Sequence, residues 1–271
     1  MKASVLRFAL TCALLAASVL VRGTGFAAQT SVQDLGTRPG VTQRFLLIKP
    51  EKPVAAVILF AGGHGGLNIS GDRGFGWGRG NFLVRSRELF ARHELLVAVI
   101  DAPSDRLPSP ALDFFRDTAA HAEDVRHVIA ALRKEANAPV WLVGTSRGTT
   151  SVANAAIRLK DASPDGIVLT SSMVGNRAGW GSLNLMDVAD IKVPTLVVHH
   201  ENDGCRATLY QDAKAMFEKL AAAPKKEFVT FKGDGPPKGP PCEAHHYHGF
   251  IGIEDEVVAR IADWIKANSK R

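Results

Sequence analysis

The chain has 271 residues, of which 46% are hydrophobic, 22% charged and three cysteine. That composition excludes a disordered chain, a collagen-like chain and a multi-span membrane protein, and three cysteines are too few for a disulfide scaffold. The formal net charge is +6, but Lys2, Arg7 and Arg22 supply three of the 33 cations, leaving 30 against 27 acids, and no block of five like charges occurs. A basic stripe of the kind nucleic-acid binding needs is therefore missing, and no nucleic-acid partner is expected.

In chain order, Met1–Arg7 is a short basic stretch and Phe8–Val21 a run of 14 nearly all apolar residues. The run is short for a membrane-spanning helix and of the length of a signal-peptide core. Gly25 and Ala27 put small residues at positions −3 and −1 of a cut after Ala27. The expectation is an export signal over residues 1–27, an exported protein (periplasmic or secreted) and no stable membrane insertion after cleavage; a retained N-terminal anchor is the alternative. Export bears on the cysteines, because only Cys205 and Cys242 survive processing. In an oxidising compartment an isolated pair is most simply one disulfide, with two free buried thiols as the alternative.

Strands and helices alternate over residues 28–271, which read as a single domain. Val41–Ile48 and Val54–Phe60 are expected strands, the second a near-continuous apolar run suited to burial on both faces. Phe82–His93 has helical spacing and Leu95–Ile100 is another buried strand. Thr118–Ala136 is an amphipathic helix with Ala122, Val125, Val128, Ile129 and Leu132 on one stripe. Val140–Val143 is a short strand and Ser146–Leu159 a helix; Ile167–Thr170 and Thr195–His199 are strands; Ala207–Ala222 is helical, Glu227–Phe231 a strand and Val257–Ala267 a closing helix. This alternation predicts an α/β fold with a mostly parallel sheet covered on both faces.

Val140 to Gly148 reads Val-Trp-Leu-Val-Gly-Thr-Ser-Arg-Gly, a strand running into G-x-S-x-G and then a helix. This is the nucleophile-elbow pattern. The turn is so tight that side chains at Gly144 and Gly148 would collide with neighbouring backbone, and it holds Ser146 at the carboxyl edge of the sheet above a helix N-terminus. A serine alone is a poor nucleophile and needs a base and an orienting acid.

With those partners downstream, the chain resembles the α/β-hydrolase superfamily over nearly all of residues 28–271. That family presents Ser, then Asp or Glu, then His in chain order. Val193 to Asp203 is similar to the family's late strand and acid loop, and Asp203 sits where the triad acid is found, with Glu201 as fallback. A turn or cap role for the Asp203-Gly204 pair is the alternative. His245-His246-Tyr247-His248-Gly249-Phe250 precedes the last helix, where the family carries its histidine; His248 matches best, then His246, then His245. Phe60-Ala61-Gly62-Gly63-His64-Gly65-Gly66 resembles the family's His-Gly-Gly oxyanion loop, with Ala61 where a histidine often stands. The resemblance implies oxyanion N–H donors at Gly63 (His64 next) and at Arg147. Since the acid and histidine loops must be neighbours, a Cys205–Cys242 disulfide would tie them together.

Three histidines within 245–248 lack i, i+4 helical spacing and no zinc pattern occurs, so no metal is expected. The glycine-rich 74–80 segment matches no phosphate-binding pattern; it is read as a mobile loop in which Phe75 and Trp77 either line a pocket or pack. The two dozen residues between the strands at Ile167 and Thr195 have room for a small cap at most. The expected function is an exported serine hydrolase acting on a small ester or acyl substrate without a cofactor. A peptidase or amidase with the same triad, and a non-catalytic binding protein of the same fold, are the alternatives.

Overall fold

The structure, a computed structural model, describes residues 28–71, 74–176, 180–233 and 235–269. The expected export segment lies outside the described residues. Eight strands form the central sheet: β1 (Ala28–Arg38), β2 (Val41–Pro50), β3 (Ala55–Phe60), β4 (Leu95–Ile100), β5 (Val140–Thr145), β6 (Gly166–Thr170), β7 (Thr195–His200) and β8 (Lys226–Phe231). Their order in space is β1-β2-β4-β3-β5-β6-β7-β8. The β1–β2 and β2–β4 pairs are antiparallel, and every other pair is parallel.

Among the described residues six α-helices flank the sheet: α1 (Phe82–Arg85), α2 (Arg87–Arg92), α3 (Ala119–Ala136), α4 (Gly148–Arg158), α5 (Tyr210–Glu218) and α6 (Glu254–Asn268). Alternate residues of one strand feed two separate cores. Val57 and Leu59 of β3 pack with Phe82, Phe90, Val257 and Ile261 of α1, α2 and α6. Ile58 and Phe60 pack with Val125, Ile129, Val152 and Met216 of α3, α4 and α5. A strand buried on both faces has no polar side to show, which is why β3, β4 and β5 read as unbroken apolar runs.

Four differences from the expected elements have local causes. Strand β1 has no counterpart in the expectation, because its residues AQTSVQDLGTR are mostly polar and it lies at the sheet edge, half-exposed. The helix expected over Phe82–His93 is broken at Ser86, whose N–H bonds Phe82 O while its own carbonyl accepts from Leu89 N–H, a three-residue tightening that restarts the helix. Helix α4 begins at Gly148 rather than Ser146, because Ser146 is left-handed. Helix α5 begins at Tyr210 rather than Ala207, since Thr208 turns its hydroxyl to Asp203 instead. Between β6 and β7 the described residues hold two single-turn 3-10 helices, Leu183–Leu185 and Val188–Asp190. No helix among the described residues is long and apolar enough to cross a membrane.

Candidate active site

Because β3, β5 and β7 run parallel, their carboxyl ends lie along one edge of the sheet, and the loops leaving them carry Gly63, Ser146 and Asp203. Ligand sites of open α/β sheets form at that edge.

Ser146 has φ of +52°, a conformation that costs a non-glycine residue about 1–3 kcal/mol unless its surroundings impose it. Here they do. Ser146 N–H donates to Thr170 O (3.1 Å), and its carbonyl accepts from both the N–H (3.0 Å) and the hydroxyl (2.6 Å) of Thr149. The two elbow glycines are required by contact. A Cβ on Gly148 would lie 2.1 Å from Phe60 O, and one on Gly144 would lie 2.6 Å from Gly148 O. Small residues on both sides therefore let α4 descend onto the end of β3 directly after the serine.

Asp203 follows β7, and its side chain is fully buried. One oxygen accepts Cys205 N–H (3.0 Å); the other meets the Thr208 hydroxyl (2.9 Å) and His248 Nδ1 (3.0 Å). Burial works against ionisation, but His248 and the Cys205 N–H outweigh it and hold the carboxyl below the usual aspartate range. His248 sits in a single 3-10 turn, Tyr247–Gly249, between β8 and α6. Its carbonyl accepts from the Ser171 hydroxyl (2.8 Å), which fixes the backbone that carries the ring. Arg85 adds a second tie by donating to the carbonyls of Ala244 and Gly249 on either side. Nδ1 is thus committed to Asp203, leaving Nε2 as the nitrogen available for proton transfer.

Ser146 and His248 line one cavity of about 690 Å³, together with Gly62, Gly63, Trp77, Arg147 and Trp180. Among the described residues no hydrogen bond joins the Ser146 hydroxyl to the His248 ring, although both line the same cavity. A Cβ on Gly62 would be 3.0 Å from Ser146 Cβ, so the loop after β3 passes directly against the serine. Gly63, with φ of +62°, follows it along the cavity wall. Arg147 is the N-cap residue of α4; its side chain pairs with Asp113 (2.6 Å) and lies over the Trp180 ring (4.4 Å to the centroid).

The other named residues take different places. Glu201 pairs with Lys232 at 2.9 Å. His246 meets the Tyr247 ring edge-on, and His245 lines the cavity near Gly80. Trp77 lines the cavity and lies against His64 (centroids 3.9 Å apart), whereas Phe75 is buried in the core. Cys205 and Cys242 form a disulfide that joins the acid and histidine loops. His199, beneath the site, accepts Ser172 N–H at Nε2 (2.6 Å), and burial pushes its pKa down to about 4. Among the described residues no group of three or more His, Cys, Asp or Glu side chains is placed to hold a metal.

Sequence reasoning missed Thr208, which touches both Asp203 and His248, and Ser171. Neither stands in a pattern; only the turn that follows Asp203 and the end of β6 bring them in.

No family model matches the chain, and no curated protein matches it by sequence. Solved structures do. A dienelactone hydrolase from Anabaena variabilis is similar with a TM-score of 0.64 and 14% identity, over 90% of this chain and 99% of that one. An esterase from Pyrococcus furiosus is similar at 0.62 and 12% identity, over 89% and 93%. An α/β serine hydrolase without a lid from Xanthomonas campestris is similar at 0.60 and 16% identity, over 91% and 98%. Sheet order, the strand–turn–helix at Ser146 and these likenesses agree: the chain has the α/β-hydrolase fold.

Proposed function

We propose that this protein is an exported serine hydrolase that cleaves carboxylic esters of small molecules through an acyl-enzyme. The observation that carries the reading is the pair Asp203–His248, held on two loops, with the buried Asp203 behind His248 and His248 lining the cavity that also receives Ser146. His248 Nε2 takes the proton from Ser146 Oγ as that oxygen attacks the ester carbonyl. Asp203 keeps the proton on Nδ1 and stabilises the imidazolium that forms. The N–H groups of Gly63 and Arg147 receive the negative charge of the tetrahedral intermediate, a task in which one lost donor costs about 2.7–4 kcal/mol. His248 then protonates the leaving alcohol. Water, activated by the same ring, attacks the acyl-enzyme and releases the acid.

The structural neighbours named as a dienelactone hydrolase and an esterase support an ester over a peptide bond. The Cys205–Cys242 disulfide supports the expected export, since such bonds persist in oxidising compartments. The test is turnover of p-nitrophenyl acetate and a panel of alkyl esters beside a panel of peptides and amides. The reading expects ester turnover by the wild type and a loss of at least ~10³-fold in kcat for Ser146→Ala. Peptide cleavage without ester cleavage would overturn the substrate assignment.

A further inference from the structure

Arg116 is a buried cation in an unusual place. It is 3% exposed and lies just before the Thr118 cap of α3. Among the described residues it forms no ion pair with a carboxylate; its guanidinium donates to Ser151 Oγ on α4 (2.8 Å), to Ala61 O (3.0 Å) and to Gly63 O (3.3 Å). Arg147 and Asp113 act on it only through space, and burial lowers its pKa to about 9, so it remains charged at neutral pH. Burying a cation without an opposite charge is costly, and apolar replacements of such groups are often neutral or stabilising. Fold stability alone therefore gives no reason for an arginine here.

Its partners supply one. Both carbonyls belong to the glycine-rich loop that follows β3 and passes against Ser146. Four glycines leave that loop many backbone states. One guanidinium nitrogen holds the carbonyls on either side of Gly62, and the next carbonyl, His64 O, accepts from Leu112 N–H at 2.9 Å. In a trans peptide the N–H points opposite to its C=O. Ala61 O and Gly63 O are turned toward Arg116, so the two peptides that flank the Gly62–Gly63 peptide are fixed; that middle peptide carries the Gly63 N–H and is thereby held at both ends. The loop's glycines fit this role: a Cβ on Gly65 would lie 2.4 Å from Arg116 Nη2.

We propose that Arg116 is a positioning residue for the oxyanion-stabilising loop, clamping the Ala61 and Gly63 carbonyls to Ser151 so that the loop N–H groups are set before negative charge develops on the substrate. This inference rests on the serine-hydrolase reading.

The test uses the full chain and compares wild type with Arg116→Met, Arg116→Lys and Ser151→Ala. Two quantities are read: the second-order rate of phosphonylation by a fluorophosphonate, whose phosphoryl oxygen would occupy the same N–H groups, and kcat and KM for p-nitrophenyl acetate. Arg116→Met is expected to lower kcat and the phosphonylation rate by about 10–100-fold, with KM within ~3-fold of wild type, because the loss falls on the transition state. Arg116→Lys is expected to restore part of the loss. The midpoint of the pH–rate profile is expected to stay in place, since the base is untouched. A folded Arg116→Met variant with wild-type kcat and phosphonylation rate would overturn the proposal. If Arg116→Met does not fold, Ser151→Ala decides, with kcat expected about 3–10-fold down and KM unchanged; wild-type kcat in that variant would overturn it. Wild type that neither labels nor turns over ester overturns the hydrolase reading itself, an outcome distinct from variants that match an active wild type.

Discussion

His248 Nδ1 lies 3.0 Å from Asp203 Oδ2, inside the protein, and this one contact makes a loop histidine into a candidate base. A carboxylate there selects the tautomer with the proton on Nδ1. Asp203→Asn preserves the shape but offers an amide that can present its own N–H, which favours the wrong tautomer. We expect kcat on an ester substrate to fall by about 10³–10⁴-fold with KM little changed, measured by steady-state kinetics. A loss smaller than tenfold would mean that another acid, such as Glu201, orients the ring.

Thr208 donates its hydroxyl to the same carboxylate oxygen and lies 3.1 Å from His248 Nδ1. Thr208→Val keeps the side-chain shape and removes that donor. The expected loss is about 1–2 kcal/mol of transition-state stabilisation, roughly tenfold in kcat, with the fold intact by circular dichroism. Unchanged kcat would show that Cys205 N–H and His248 suffice to hold Asp203.

The disulfide between Cys205 and Cys242 closes a separation of 37 residues. In the chain-entropy model such a link is worth about 3–4 kcal/mol. Cys205→Ser with Cys242→Ser is expected to lower stability by about that much in a denaturant titration. Because the link joins the loops of Asp203 and His248, kcat is expected to fall as well, even well below the thermal midpoint. A stability loss with full activity would confine the disulfide to the unfolded state.

Two buried histidines predict acid sensitivity. Burial pushes the pKa of His121 down to about 3 and that of His199 down to about 4. In the unfolded chain each titrates near 6.5. Between those values the unfolded state binds more protons, so stability is complete above about pH 6.5 and falls as pH drops toward 4. Each histidine should withdraw about 2 kcal/mol between pH 7 and pH 5. His121 lies against the rings of Phe60 and Phe115 and makes no hydrogen bond among the described residues. His121→Phe should therefore keep the packing and shrink the pH 7 to pH 5 difference by about 2 kcal/mol in urea unfolding. An undiminished difference would place the acid sensitivity elsewhere.

Legibility in the sequence followed burial. Leu95–Ile100 was legible to the residue because both faces are covered and the run is wholly apolar. Strand β1 was not, because an edge strand carrying Gln29, Thr30, Gln33 and Asp34 has no apolar period to detect. The elbow pattern and the chain order of the resembled superfamily single out Ser146, Asp203 and His248 as candidates, and the structure brings Asp203 and His248 into contact. Arg116 and Thr208 were not legible. An arginine ahead of a helix cap reads as a solvated charge, and a threonine five residues past an acid belongs to no pattern. Their roles come from long-range contacts, Arg116 to Ala61 across 55 residues and Thr208 to His248 across 40.

The central claim is that Ser146 is an activated nucleophile. Its most direct test is the intact mass of the protein after exposure to a fluorophosphonate, for wild type and Ser146→Ala, with no assumption about substrate. One adduct is expected on wild type and none on the variant. A well-folded wild type that gains no mass, or a variant that gains the same adduct, would contradict it.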